Sequence, residues 1–159
     1  MFALLSMGQA DAAITTWDSK YTHDIIRPET TIRRRIDDMG NPELVGEGDS
    51  DWLSLIFTPD FPTYTSGHST FSGVSARMIA NFIGTDRVNF NAQAPDLVNW
   101  PKQLTDVRRS WTSLWQAAEE NGMSRIYGGV HWPADNDQGL RIGRELADHI
   151  YRDAFVRAV

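Results

Sequence analysis

Cysteine is missing from this 159-residue chain. Its absence excludes disulfides, thiolate metal sites and cysteine nucleophiles, and leaves the compartment open. No apolar run approaches the roughly 20 residues that span a bilayer, so no membrane segment is expected. The opening stretch "MFALLSMGQADAAITTW" has no basic region ahead of its apolar residues and does not read as a signal peptide. Internal repeats, low-complexity tracts and strand-like alternation are also absent. Positive charge is in deficit: 15 Lys and Arg stand against 21 Asp and Glu, a net charge of −6. That balance weighs against nucleic-acid binding. An anionic ligand would need a local basic pocket set into an acidic surface.

What is present fits one folded domain over residues 1–159, with 41% hydrophobic and 23% charged residues. Four helical stretches carry the apolar pattern, and the predicted class is all-α. In the first, Ile14, Trp17, Tyr21 and Ile25 recur at helical spacing until Arg27-Pro28 ends the run. A segment rich in Gly, Pro and Asp follows, from Glu29 to Thr65. "DDMGNPE" and "TPDFP" are turn chemistry. Its length exceeds that of ordinary structureless loops, so it is expected to be functional or to hold short helices. The second helix opens at Thr65 or Ser66. Phe71, Val74, Met78, Ile79, Phe82 and Ile83 line one face, and Gly84 closes it. The third carries Leu104, Val107, Trp111, Leu114, Trp115 and Ala118 and stops near Asn121-Gly122. Trp111 and Trp115 read as core. The fourth starts at Pro133, a favoured first-turn proline. Its stripe of Leu140, Gly143, Ala147, Ile150 and Ala154 is small enough for close helix packing.

Three clusters carry candidate chemistry. In "WDSKYTHDIIRP", Lys20 and Arg27 lie seven apart, about two helical turns, so both cations share a face. Asp24 between them offers a plainer reading, a surface ion-pair ladder. In "YTSGHSTFSG", a helix N-terminus presents unpaired N–H groups and the positive end of the helix dipole. Such an end binds phosphate-like anions. Gly67 admits an anion close to the backbone. Ser66 adds a hydroxyl, and His68 lies near the same place. The plainer reading is a Ser N-cap beside an incidental histidine. In "SRIYGGVHWPAD", Arg125 is a planar fork suited to two oxygens of a tetrahedral anion. His131 follows, and Asp135, four residues on, can fix its tautomer. The plainer reading is a solvent-exposed arginine and an acid in a helix first turn. Taken together, the clusters supply three cations, a helix terminus and two histidines. A tetrahedral oxyanion needs such a set. His23 and His149 match no role and are expected at the surface.

Lys20, six residues, Arg27-Pro28; Ser66-Gly67-His68; Ser124-Arg125, five residues, His131, three residues, Asp135: this pattern resembles the three-part signature shared by vanadium-dependent haloperoxidases and type 2 phosphatidic acid phosphatases. The flanking stretches "RPETTIRRRIDDMGNPE", "FTPDFPTYTSGHSTFSG" and "SRIYGGVHWPADN" are most similar to bacterial vanadium chloroperoxidase-like proteins. Thr65 stands where the family usually has proline. Family members are usually longer, with further helices ahead of the lysine motif, so the chain resembles a carboxy-terminal catalytic portion truncated at its amino terminus.

The resemblance implies a helical bundle and orthovanadate as cofactor. His131 would bind vanadium, while Lys20, Arg27, Ser66, Gly67 and Arg125 hydrogen-bond the vanadate oxygens. His68 would act as acid–base, and Asp135 would orient His131. Trp17 and Phe61 match aromatics beside the vanadate pocket and imply a halide pocket. Hydrogen peroxide, halide and an organic acceptor would be the small-molecule partners, and hypohalous-acid equivalent the product. In the phosphatases the same constellation hydrolyses phosphate esters with no cofactor, and His131 would be the nucleophile. A third reading is a non-catalytic anion-binding or assembly module. A homo-oligomer is expected, covering the helix face that the further helices cover in longer relatives.

Overall fold

The computed structural model describes residues 1–34, 48–93 and 108–156, and side chains as far as Ala154. Five helices and one small hairpin follow in order: α1 (Phe2–His23), α2 (Pro28–Arg34), α3 (Gly67–Ile83), β1 (Phe90–Gln93), β2 (Arg108–Trp111), α4 (Leu114–Tyr127) and α5 (Pro133–Val156). The all-α expectation holds for the bulk of the fold. The hairpin departs from it: β1 and β2 pair antiparallel, Phe90 opposite Trp111 and Gln93 opposite Arg108. Its strands are four residues long and mostly exposed, too short for alternation to register in the sequence. Stacking of Phe90 on Trp111, 5.0 Å between centroids, helps hold them.

α3 is the central element. With α1 and α5 it buries Ala12, Val74, Met78, Ala147 and Ile150, and Phe71 packs against that cluster. With α4 and α5 it buries Ala76, Ala118 and Leu140, flanked by Leu114 and Trp115. Trp115 packs against this core but stays partly exposed, whereas Trp111 lies on the hairpin. The far end of the expected α3 stripe loosens: Phe82 and Ile83 are exposed. Gly84 ends the helix in the left-handed region, φ 80°, its N–H bonded to the Ala80 carbonyl.

α1 buries a different face from the one its apolar spacing marks. Gly8, Ala12, Thr16 and Lys20, four apart, face inward. Ile14, Trp17 and Tyr21 are exposed. The physical reason is closeness: a Cβ on Gly8 would lie 2.9 Å from Val74 Cγ1. Small residues let the backbones approach, and small residues carry little hydrophobic signal. α1 also stops sooner than Arg27-Pro28, at Asp24, whose φ of 48° and N–H bond to the Lys20 carbonyl close it.

The long Glu29–Thr65 connection contains α2, as expected of a segment with short helices. "DDMGNPE" lies outside the described residues, and so do Leu104 and Val107. The third helix begins at Leu114, well after its predicted start, because Ser113 caps it by accepting the Gln116 N–H at 3.0 Å. It also runs past Asn121-Gly122. Gly122 is a point of close approach and not a helix end: a Cβ there would fall 2.0 Å from Asn136 Oδ1. The extension carries Arg125 into the last turn of α4.

Candidate active site

The site lies where the end of α1, the 61–66 segment, the start of α3, the last turn of α4 and the start of α5 meet. Two tight contacts fix it. The Ser66 N–H donates to the Asp135 carbonyl at 3.1 Å, joining the N-terminus of α3 to that of α5. Behind it, α3 and α5 cross at glycines, with a Cβ on Gly139 only 2.8 Å from the Ser66 carbonyl. Ser66 is the N-cap of α3, its Oγ accepting the Ser69 N–H. The N-cap reading of Ser66 therefore holds.

Lys20 and Arg27 come together, although not on one helix face. Lys20 is on α1 and 1% exposed; Arg27, 4% exposed, follows the left-handed turn at Asp24. Neither pairs with Asp24, so the surface ladder does not form. Instead Lys20 Nζ donates to the carbonyls of Pro62, Thr63 and Thr65 at 2.9, 2.9 and 2.7 Å. Three bonds use all the protons of an ammonium group. In this arrangement Lys20 has no proton left for a further hydrogen bond. Arg27 donates from Nε to the Phe61 carbonyl at 2.7 Å and from Nη1 to the Val130 carbonyl at 2.8 Å. The same Nη1 lies 3.4 Å from His131 Nε2. The Phe61 ring sits under both cations, 5.2 Å from Lys20 Nζ and 5.0 Å from the Arg27 guanidinium carbon. Trp17 stands 5.5 Å from Phe61, ring to ring.

His131 and Asp135 form the buried floor. His131 Nδ1 is 2.9 Å from Asp135 Oδ2, and both side chains are nearly inaccessible. Oδ2 also accepts the Trp132 N–H at 2.9 Å and the Thr63 hydroxyl. With a carboxylate at Nδ1, that nitrogen carries the proton, and Nε2 keeps its lone pair. Burial holds the His131 pKa below the ordinary histidine value, against the opposing pull of Asp135. The ring is neutral at pH 7, the state a metal ligand or a nucleophile requires.

Arg125 and His68 complete the ring of candidates. Arg125 Nε is buried and has no hydrogen-bond partner among the described residues. Such a group is costly unless a ligand satisfies it. His68 sits exposed at the rim of the first turn of α3. Partial desolvation, then the charge of Arg125 and the proximity of His131, lower its pKa to about 4. The electrostatics of the whole set are uneven. Below pH 7, Lys20, Arg27 and Arg125 bring three positive charges against the one carboxylate of Asp135. Burial, then Arg27, push Lys20 down to about 7, with Asp135 opposing. Burial is also the leading cause of a lowered Arg27, at about 10. Among the described residues, no group of three or more His, Asp or Glu gathers as for a metal cation. The side chains that converge here are mostly hydrogen-bond donors and cations.

Every residue the sequence singled out for the site is therefore in this one region. Two others were not singled out. Thr63 is fully buried between His131, Asp135 and Lys20. Asn136, 4% exposed, accepts from Ser69 Oγ at 2.8 Å and so braces the cap of α3. Neither belongs to a motif, and only its position beside one could have drawn notice. His23 and His149 are exposed, as expected. No helix among the described residues is long and apolar enough to cross a membrane.

Residues 1–157 match the family model of the VCPO second helical-bundle domain, VCPO being vanadium chloroperoxidase. Vanadium chloroperoxidase of Curvularia inaequalis is 28% identical over 174 residues, covering 85% of this chain and 27% of that protein. Among solved structures, a bacterial vanadium-dependent iodoperoxidase is 35% identical with a TM-score of 0.73, over 94% of this chain and 32% of its own. The holo form of a bacterial vanadium-dependent chloroperoxidase superposes with a TM-score of 0.76 at 20% identity, a likeness of fold. The chain spans about a third or less of the length of these relatives. With the match running over nearly its whole length, the chain belongs to the vanadium chloroperoxidase family, in the part that forms the second helical bundle.

Proposed function

We propose that this chain holds orthovanadate and, with hydrogen peroxide, oxidises halide to a hypohalous-acid equivalent that passes to an organic acceptor. One observation carries the reading: the buried cations Lys20 and Arg27, with the half-buried Arg125 and its unpartnered Nε, gather beside the buried His131–Asp135 pair, whose one carboxylate does not balance them. A tetrahedral oxyanion supplies the missing negative charge and an acceptor for the orphaned Arg125 Nε. The residues present thus fit the group.

His131 would hold vanadium through Nε2, oriented by Asp135. Arg27, Arg125, Ser66 and the backbone of Gly67 would hold the oxygens, with Lys20 neutralising charge. When bound, vanadate supplies Lewis-acid activation of peroxide. His68, neutral at pH 7, accepts a proton at the rim as peroxide enters. Trp17 and Phe61 would give halide an aromatic approach at the rim. The iodoperoxidase relative supports testing iodide first and bromide next.

The test compares the protein with and without vanadate at matched peroxide and halide, alongside phosphomonoester hydrolysis. Halide oxidation that appears only with vanadate is the expected result. No oxidation, with rapid ester hydrolysis by the vanadate-free protein, would replace this reading by a phosphatase with His131 as nucleophile. Weak or absent orthovanadate binding would point instead to a non-catalytic module. Within the same pocket, Arg125→Ala is expected to weaken orthovanadate binding by about 1.5–3 kcal/mol, the scale of a hydrogen bond to a charged group. Calorimetry on the folded variant checks this, and unchanged affinity would remove Arg125 from the site.

The exposed face of α1 supports a homo-oligomer. Met7, Ile14 and Tyr21, seven apart, are 53%, 69% and 65% exposed. A row of large apolar side chains in water favours association. Light scattering at micromolar concentration is expected to show a dimer or larger, and a stable monomer would contradict it.

A further inference from the structure

Thr63 lies in an irregular segment and belongs to none of the three motifs, yet it is pinned on every side. Its N–H donates to the Ile25 carbonyl at 3.0 Å, and its carbonyl accepts from Lys20 Nζ at 2.9 Å. Those bonds tie its backbone to the end of α1. Its side chain reaches the other way, to α5. Thr63 Oγ1 donates to Asp135 Oδ2 and lies 3.0 Å from His131 Nδ1. The residue is fully buried, so no water competes for these bonds.

We infer that Thr63 is a positioning residue that locks His131 in the Nδ1–H tautomer and presents the Nε2 lone pair to the cationic pocket. The inference rests on the reading of His131 as the ligating residue. A threonine hydroxyl has one proton. Thr63 gives it to Asp135, so the oxygen faces Nδ1 with lone pairs. Two lone pairs at 3.0 Å would repel, whereas an Nδ1–H finds two acceptors there, Oγ1 and Oδ2. Rotating the ring would lose both bonds at once and leave a buried polar group unpaired. Asp135 alone fixes one direction; Thr63 adds a second and holds the carboxylate still.

The experiment is nitrogen-15 NMR of histidine-labelled protein without vanadate, followed by orthovanadate calorimetry. Wild type is expected to show His131 as a protected Nδ1–H tautomer. The Nε2–H tautomer in wild type would overturn the inference without any variant. Thr63→Val, similar in shape but lacking the hydroxyl, is expected to lose that protected signal and to bind orthovanadate about tenfold more weakly, the lower end for a residue behind a metal ligand. Thr63→Ser restores the hydroxyl and is expected to keep both wild-type properties. A folded Thr63→Val protein with wild-type tautomer and affinity would overturn it too; Thr63→Ala gives the same comparison if the valine variant does not fold. Should wild type bind no vanadate while its tautomer still depends on the hydroxyl, the proposed function fails and the positioning role stands.

Discussion

His131→Ala is expected to abolish vanadate-dependent halide oxidation outright, and any phosphoester hydrolysis with it. Among the described residues, His131 is the imidazole buried beside Lys20 and Arg27, and its Nε2 has only the 3.4 Å approach of Arg27. Neighbouring arginines can attract an oxyanion, but they cannot ligate a metal or attack phosphorus. Asp135→Asn is the graded companion. It removes the charge behind the ring and puts amide protons near three donors that now converge on Oδ2. Orthovanadate affinity is expected to fall on the order of 10–100-fold. His68→Ala should separate binding from turnover, since His68 sits at the rim and not on the floor: the anion stays bound while oxidation is impaired. Calorimetry and halide assays on variants with wild-type circular dichroism make the comparison. Full activity in folded His131→Ala would end the proposed function.

The second large effect is structural. Gly143→Ala is expected to destabilise the fold by about 3 kcal/mol or more, the upper range for overpacking. A Cβ there would lie 2.4 Å from the Thr70 carbonyl oxygen and 2.7 Å from the Val74 nitrogen. Both are backbone atoms of α3, so no rotamer change relieves the clash. For a domain of this size the melting temperature should drop by roughly 6–12 °C. Gly84→Ala is the informative contrast. No described residue lies within 4 Å of its Cβ position, and its cost comes from φ 80°, about 1–2 kcal/mol. Equal effects in thermal unfolding would refute the packing account. The clash would also reach the site, because α3 and α5 carry Ser66 and Asp135 at adjacent ends.

The sequence conveyed the site better than the surfaces around it. Spacings such as Ser124-Arg125 to His131 and Asp135 survive in one dimension because α4, a short turn and α5 carry them rigidly. Thr63 was invisible because its partners are 68 and 72 residues away. The inward face of α1 was invisible for another reason. Gly8, Ala12 and Thr16 work by being small, and hydrophobic periodicity measures size and greasiness. At α4 the signal was present and outvoted: Ser113 followed by Gln116 three residues later is a helix start, but Trp111 continued the apolar pattern and drew the boundary upstream. Gly122 looked like punctuation and is instead a contact with α5.

The buried positive charge of Lys20 and Arg27 is expected to make the solution chemistry of this protein depend on its buffer. The folded Lys20 titrates at about 7, below the 10.5 of a free lysine. Folding therefore disfavours its charge, a penalty fully present below pH 7 and relieved as pH rises from about 7 toward 10.5. A tetrahedral oxyanion held as proposed would oppose the same penalty by binding the folded state alone. At a hundred times its dissociation constant it adds about 2.7 kcal/mol. Phosphate in a storage buffer would thus act as a silent folding aid, and also as a competitor that hides the pocket from vanadate. Melting curves in phosphate and in a buffer free of tetrahedral anions should differ for wild type and converge for Arg125→Ala.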